Sequence, residues 1–289
     1  MYTESGELRG DTEPRIFTRP LRELTPETSL GFEAIATATE DLGRNLHPWQ
    51  EWVLIHSLEL APGSYTSDPA PVLRFETVLV LVARQNGKSF LASTRMLWRM
   101  LMWDPPEGEP PLVLGTAHKL AAAEEIQEQA YKAIARSPAA DQVARMTGTN
   151  GSKTLELING ARYRCDAASD DGGRSFSVTD LFFDELRQQK EWSPWMALTN
   201  TTNAKFSSQV FAVSNAGESK SVVLNSLQDN ERKAIQEYDS FISGGGTPEE
   251  WAKTHEITFG LFEYSAPEGA PIHDRDGWAA ANPSLGYPF

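Results

Sequence analysis

The stretch Phe75-Glu76-Thr77-Val78-Leu79-Val80-Leu81-Val82-Ala83-Arg84-Gln85-Asn86-Gly87-Lys88-Ser89 decides how the chain is read. Its first half is an apolar, β-branched run. Near-continuous hydrophobicity of this kind marks a strand buried on both faces, as in a parallel sheet. Its second half is a polar loop, and Phe90 to Trp103 continues as a helix until Pro105 and Pro106 stop it. Strand, loop and helix in that order make a receptor for phosphate, because loop N–H groups curl round the anion and the helix N-terminus faces it. Gly87-Lys88-Ser89 completes the end of G-x-x-x-x-G-K-[ST], in which the lysine reaches the β- and γ-phosphates and the hydroxyl holds Mg2+. Val82 stands where the first glycine belongs. The plainer alternative is a strand-to-helix turn with an exposed lysine; the buried strand ahead of the loop favours a nucleotide site.

The alternation repeats on both sides. Pro111 to Ala117 reads as a short buried strand, Lys119 to Arg136 as an alanine-rich helix, and residues 147–166 as a hairpin turning at Asn159-Gly160. Asp170 to Ser175 reads as a flexible loop, and Val178 to Phe183 and Gln209 to Val213 as two further strands. Upstream, a helix starts at Pro48, and residues 1–30, with three prolines, read as an extended arm. The class is α/β, with a mainly parallel central sheet flanked by helices.

The strand from Val178 ends in Asp184 and Glu185. In a nucleotide hydrolase the first holds Mg2+, usually through water, and the second polarises the attacking water as general base. A strand ending in solvent produces the same letters. Asp184 follows Lys88 by 96 residues, enough for intervening elements to bring both strand ends side by side at the carboxyl edge of one sheet.

Other candidates depend on this pair. Gln50, after Pro48-Trp49, is placed to read an adenine edge. Ser214-Asn215-Ala216, ending a strand, is placed to sense a γ-phosphate and pass on its state. Arg84 lies inside the loop, and Arg174, flanked by glycine, suits an arginine finger that neutralises transition-state charge. Gly115-Thr116-Ala117-His118 ends another strand, where a contact to DNA or to the nucleotide site competes with the reading of a plain strand end, which is favoured. The five histidines show no metal-ligand spacing, and Cys165 reads as structural.

Composition narrows the class. The 289 residues carry 26 basic and 40 acidic side chains, a net charge of −14 that weakens a nucleic-acid reading. The acidity is concentrated at the ends: residues 1–50 hold five basic and nine acidic groups, residues 231–289 four and ten, whereas 131–174 hold seven and five. One cysteine excludes a disulfide framework, and no apolar run approaches the ~18–20 residues of a membrane span. A soluble protein of a reducing compartment is expected, with no membrane partner.

On these residues the chain resembles the large terminase subunit of tailed bacteriophages, of the HK97-like type. The resemblance is carried by Pro48-Trp49-Gln50, Ala83 to Ser89, Gly115-Thr116-Ala117, Gly173-Arg174-Ser175, Leu181 to Glu185 and Ser214-Asn215-Ala216. It ends on Trp278 to Gly286, a W-x-x-A-N-P-x-L-G segment. A phosphate loop without its first glycine is usual in that family. The resemblance implies a P-loop NTPase of the additional-strand, conserved-glutamate class with a small C-terminal lid subdomain. Its cofactors would be ATP and Mg2+, and it would pump double-stranded viral DNA into a procapsid. The implied partners are the portal protein, a small terminase subunit and further copies in a homo-oligomeric ring, often a pentamer, in the host cytoplasm at the portal. The implied site has Gln85, Asn86, Gly87, Lys88 and Ser89 on the nucleotide, Asp184 near Mg2+, and Glu185 activating water. Arg84 or a neighbour's Arg174 would stabilise γ-phosphate charge. The expected division is an arm (1–44), an ATPase core (45–217), a lid (218–260) and a linker (261–289) toward a nuclease domain, so nuclease activity is not expected from this chain. The competing readings are another P-loop ATPase or kinase, or a non-catalytic interaction module with a degenerate loop.

Overall fold

The computed structural model describes residues 7–148, 153–169 and 176–288. In chain order the first half comprises β1 (Ile16–Phe17), α1 (Gly31–Glu40), α2 (Pro48–Ser57), β2 (Thr77–Leu81), α3 (Lys88–Met102), β3 (Leu112–Ala117) and α4 (Leu120–Ile134). Then come β4 (Val143–Met146), β5 (Thr154–Leu157), β6 (Arg162–Ala167), β7 (Asp180–Asp184), α5 (Trp192–Thr199) and β8 (Gln209–Ser214). The chain continues with α6 (Val222–Ser243), α7 (Pro248–Thr254), β9 (Phe259–Glu263) and α8 (Arg275–Ala281).

The strands form one sheet in the order β1-β9-β2-β8-β7-β3-β6-β5-β4. From β9 to β6 every neighbouring pair is parallel, and antiparallel strands close both edges. The apolar run of β2 has the reason expected of it. Val78, Val80 and Val82 pack with Trp49, Leu54 and Met96 of α2 and α3, while Leu79 and Leu81 pack with Trp195, Val223 and Leu224 of α5 and α6. Both faces are covered, so alternate residues serve two different cores.

The hairpin forms as read, with Gly160 left-handed (φ 86) between β5 and β6, and it gains a third strand, β4. Three expectations change. β2 and β7 do not lie side by side: β8 is inserted between them, parallel to both. A boundary at 260/261 would cut β9, which hydrogen-bonds along β2, so this segment belongs to the sheet and not to a lid or a linker. The N-terminal arm is likewise joined to the sheet through β1 on β9. Arg174 and the Asp170 to Ser175 loop lie outside the described residues. Among the described residues no helix is long and apolar enough to cross a membrane.

Helix α3 is fastened to β7 by buried charge. Asp180, at the start of β7, meets Arg95 Nη2 at 2.7 Å and Arg99 Nε at 2.5 Å, and all three side chains are fully buried. Gln209 of β8 accepts a second bond from Arg95 Nη2 (2.7 Å), and the Ser207 carbonyl accepts one from Arg99 Nη2 (2.5 Å). Burial lowers Arg99 to about 10, although Asp180 opposes the shift. Removing one partner of such a cluster strands a charge in the core. Asp180→Asn should therefore lose about 3–5 kcal/mol of unfolding free energy, seen in urea as an earlier midpoint at unchanged slope. A loss below about 1 kcal/mol would show that apolar packing alone holds α3 to β7.

Candidate nucleotide site

Between Leu81 and Lys88 the backbone turns through two left-handed residues, Gln85 (φ 61) and Gly87 (φ 83). Glycine adopts this conformation freely and glutamine rarely does. Successive N–H groups in such turns build concave anion sites, and here the concavity runs directly into the first turn of α3. Arg84 and Gln85 are exposed on the loop, and Ser89 is half-buried.

Two loop neighbours use their side chains inwards. The Gln50 amide donates to the Gly87 carbonyl (3.1 Å), and its oxygen accepts the His47 N–H (2.9 Å) in the capping box of α2. Gln50 thus braces the loop with one of its two N–H groups and one lone pair of its oxygen. The Asn86 amide donates to the carbonyls of Ala83 (3.3 Å) and Arg84 (3.1 Å), and its oxygen accepts the Ser284 N–H (3.0 Å). Asn86 offers a phosphate its main chain and not its side chain.

Lys88 Nζ donates to the carbonyls of Val82 (3.2 Å) and Ala83 (3.0 Å) and to Asn215 Oδ1 (2.5 Å). The lysine of the loop therefore touches the segment that follows β8. Burial lowers Lys88 to about 8, while Asp184 and Glu185 pull it back up. Burial, reinforced by the adjacent Glu185 charge, raises Asp184 to about 6, and Lys88 opposes that. Each of the two is the other's partial counter-charge across the carboxyl edge.

Glu185 follows Asp184 in the left-handed region (φ 51, ψ 52). A non-glycine residue held there stores strain of order 1–3 kcal/mol and persists only where its surroundings enforce it. The next residues supply that enforcement. The Arg187 N–H donates to Ser214 Oγ (3.1 Å), and its carbonyl accepts Ser221 Oγ–H (2.8 Å), just before α6. Its guanidinium lies 3.9 Å from the Glu185 carboxylate and 3.5 Å from that of Glu218. Ser214 and Asn215 thus lie between the loop and the carboxylates; Ala216 is exposed. Beside the acidic pair a cavity of about 400 Å3 is lined by Ala117, His118, Lys119, Asp184, Glu185 and Gln188. Arg187 and Lys119 gave no signal in the sequence. Nothing in the letters Glu-Leu-Arg marks an arginine that folds back on its own neighbour, and only the backbone turn at Glu185 does so.

A nine-stranded sheet with this layout has a solved counterpart. The crystal structure of the HK97 bacteriophage large terminase matches 89% of this chain with a TM-score of 0.66 at 20% sequence identity. The chain has the fold of a large terminase. It spans 48% of that protein's length. Looser likenesses are to the large terminase ATPase domain of a Thermus phage (TM-score 0.42, 14% identity, 60% of this chain and 66% of that one) and to the large terminase of a thermophilic bacteriophage in complex with ADP (0.37, 12%, 48% and 34%). At those scores they carry no argument. No protein-family model and no curated protein matches the sequence.

The two shifted groups set pH limits. Below about 6 Asp184 takes up a proton and loses its negative charge; above about 8 Lys88 gives one up and loses its positive charge. MgADP binding should be tightest between these limits and weaken by up to about tenfold per pH unit beyond either. In Lys88→Arg the alkaline limb should disappear, because guanidinium stays charged. Calorimetric titration across the range checks this, and a limb that survives the substitution would belong to another group.

Proposed function

We propose that this chain is the ATP-hydrolysing motor part of a phage large terminase, driving double-stranded viral DNA into a procapsid. One observation carries the reading: the phosphate-loop lysine and the carboxylate pair electrostatically couple across one parallel edge, with the sensor segment of β8 between them. The large-terminase fold supports it.

In this reading Gly87, Lys88 and Ser89 hold the triphosphate of ATP. The hydroxyl of Ser89 and the carboxylate of Asp184 are hard oxygen donors of the kind Mg2+ prefers, so the residues fit that ion. Held there, Mg2+ would supply neutralisation of the charge on the phosphates. Lys88 exchanges its carbonyl partners for phosphate oxygens. Glu185, partly exposed beside the 400 Å3 cavity, orients and deprotonates the attacking water. Arg84, exposed on the loop, or Arg174, from this copy or a neighbour, stabilises the γ-phosphate charge.

Coupling follows the contacts of Asn215, Ser214 and Arg187. A lysine that leaves Asn215 for phosphate frees the end of β8. Ser214 transmits this to the Arg187 turn, which is tied to Glu218 and Ser221 at the start of α6. The helical part of the expected lid, α6 and α7, is the element that moves. The partners of such a motor are the portal protein, a small terminase subunit and further copies in a ring, with five as the expected number. It would act in the host cytoplasm at the procapsid portal.

Glu185→Gln should retain ATP affinity and lose turnover by about 10²–10⁴-fold, whereas Lys88→Ala should lose binding. Undiminished turnover in the first variant would remove Glu185 from the base role. Double-stranded DNA should stimulate the wild-type ATPase, and the specific rate should rise with protein concentration as subunits meet. Turnover indifferent to DNA would favour a kinase or another P-loop ATPase, and no binding of MgATP at all would favour an interaction module.

A further inference from the structure

A second cavity, of about 230 Å3, lies between α6, α7 and the starts of β2 and β9. It is at the amino end of the parallel strands, whereas the phosphate loop follows the far end of β2, ~16 Å away at ~3.3 Å per residue. Tyr238 of α6, Trp251 of α7 and Arg74, just before β2, all line it. Two of these side chains carry donors without partners. Arg74, with 2% of its side chain exposed, gives Nη1 to Glu59 Oε2 (2.6 Å) and to the Arg19 carbonyl (2.9 Å). Its Nε and Nη2 have no hydrogen-bond partner. Trp251 is 6% exposed, with its ring stacked on His255 at 3.6 Å and edge-to-face with Tyr238 at 5.5 Å, and its Nε1–H is also unpartnered. The Tyr238 phenol and the Arg74 guanidinium feel each other's charge, yet no hydrogen bond joins them.

We propose that this cavity is a ligand site separate from the phosphate loop, and that it takes a small aromatic monocarboxylate. Each unpartnered buried donor is a cost to the folded chain, and a ligand that brings acceptors removes it. Nε–H and Nη2–H lie along one edge of the guanidinium plane, the fork that engages both oxygens of a carboxylate. The indole N–H of Trp251 adds a donor, and Ile235, Ile257 and Phe259 suit a flat apolar body. An apolar cavity of about 150 Å3 holds benzene, so this one has room for a single ring and a short acidic arm. A second negative charge is opposed by Glu237 and Glu256 on the rim, both exposed, and by Glu59 behind Arg74. Burial raises Glu231, another wall residue, to about 7, so near neutrality it opposes a single charge only weakly. An occupant touches α6, α7 and the sheet together. It thereby adds buried contact to a helix with three buried residues, of which Ile235 is one.

Fluorine NMR titration of the chain with 4-fluorophenylacetate, and with its neutral counterpart 4-fluorophenylacetamide, tests this. The acid should bind with a Kd below about 5 mM and the amide about fivefold more weakly, since only the acid forms ionic hydrogen bonds with Arg74. Arg74→Lys, which keeps a charge beside Glu59 and loses the fork, should weaken the acid about tenfold. Ala234, exposed at the cavity wall, offers a variant that leaves the core intact: Ala234→Trp should fill the space and abolish binding of the acid. Saturating MgADP should leave the bound acid in place. No binding of the acid at about 5 mM would overturn the site. Equal affinity for the amide, undiminished binding in either variant, or displacement by MgADP would do the same.

Discussion

The carboxylate of Asp180, held between Arg95 and Arg99 without access to water, is the constraint on which the rest of the molecule depends. Taking ions out of water costs several kcal/mol each, and an apolar cluster of the same volume would often be as stable or more so. What the ions add is direction. From this cluster α3 runs seven residues back to Lys88, about 10 Å at 1.5 Å per residue. β7 runs four residues on to Asp184, about 13 Å. Two stiff levers of similar length lead from one clamp to the same sheet edge, so the lysine and the carboxylate are placed by the core and not by their own loops. Gln209 widens the clamp: besides accepting from Arg95, its amide donates to the carbonyls of Ser57 (3.1 Å) and Phe75 (2.8 Å), which brings α2 and the approach to β2 into register with β8.

The edge where chemistry is proposed is built in the opposite way, from contacts that exchange cheaply. Of the 22 residues of α6 only Val223, Leu224 and Ile235 are buried. Its ties to the sheet side include polar ones, Ser221 on the Arg187 carbonyl at its start and Arg232 on the buried Glu263 at the end of β9, while Tyr238 and Phe241 pack on Trp251 of α7. Burial alone would raise Glu263, but bonds from Arg232, Ser265 and Gln228 hold it below the usual carboxylate range. A long helix with few buried residues, held to the sheet by a hydroxyl bond at its start and an ion pair at its middle, can shift at small cost. α3, by contrast, is buried from Leu91 to Met100, so the two helices differ in how firmly the core holds them.

The parts legible in the sequence were those whose physics is local. β2, α3 and β7 announce themselves as apolar runs beside motif residues, and Gly160 marks its own turn. Strand order is not local, and the insertion of β8 between β2 and β7 could enter only through a family resemblance. β9 is five residues long and follows a polar, acidic stretch, so its pairing with β2 was hidden. Arg95 and Arg99 were hidden by their type, since arginines one turn apart on a helix ordinarily mark its wet face. Gln50 and Asn86 lie at the expected loop, with hydrogen bonds that the letters did not announce. An amide's neighbourhood can be read from spacing, but the direction in which it spends its hydrogen bonds cannot.

The net charge of −14 takes its meaning from the strand order. The acidic ends of the chain converge, because β1 from the arm pairs with β9 and α6 packs against β9 at that same edge. The stretch 131–174, with seven basic and five acidic groups, supplies β4, β5 and β6, and these strands form the opposite edge of the sheet. Charges beyond about 8 Å of one another are largely screened at physiological salt, so the two edges act independently on anything that approaches. The sum over the chain describes neither edge.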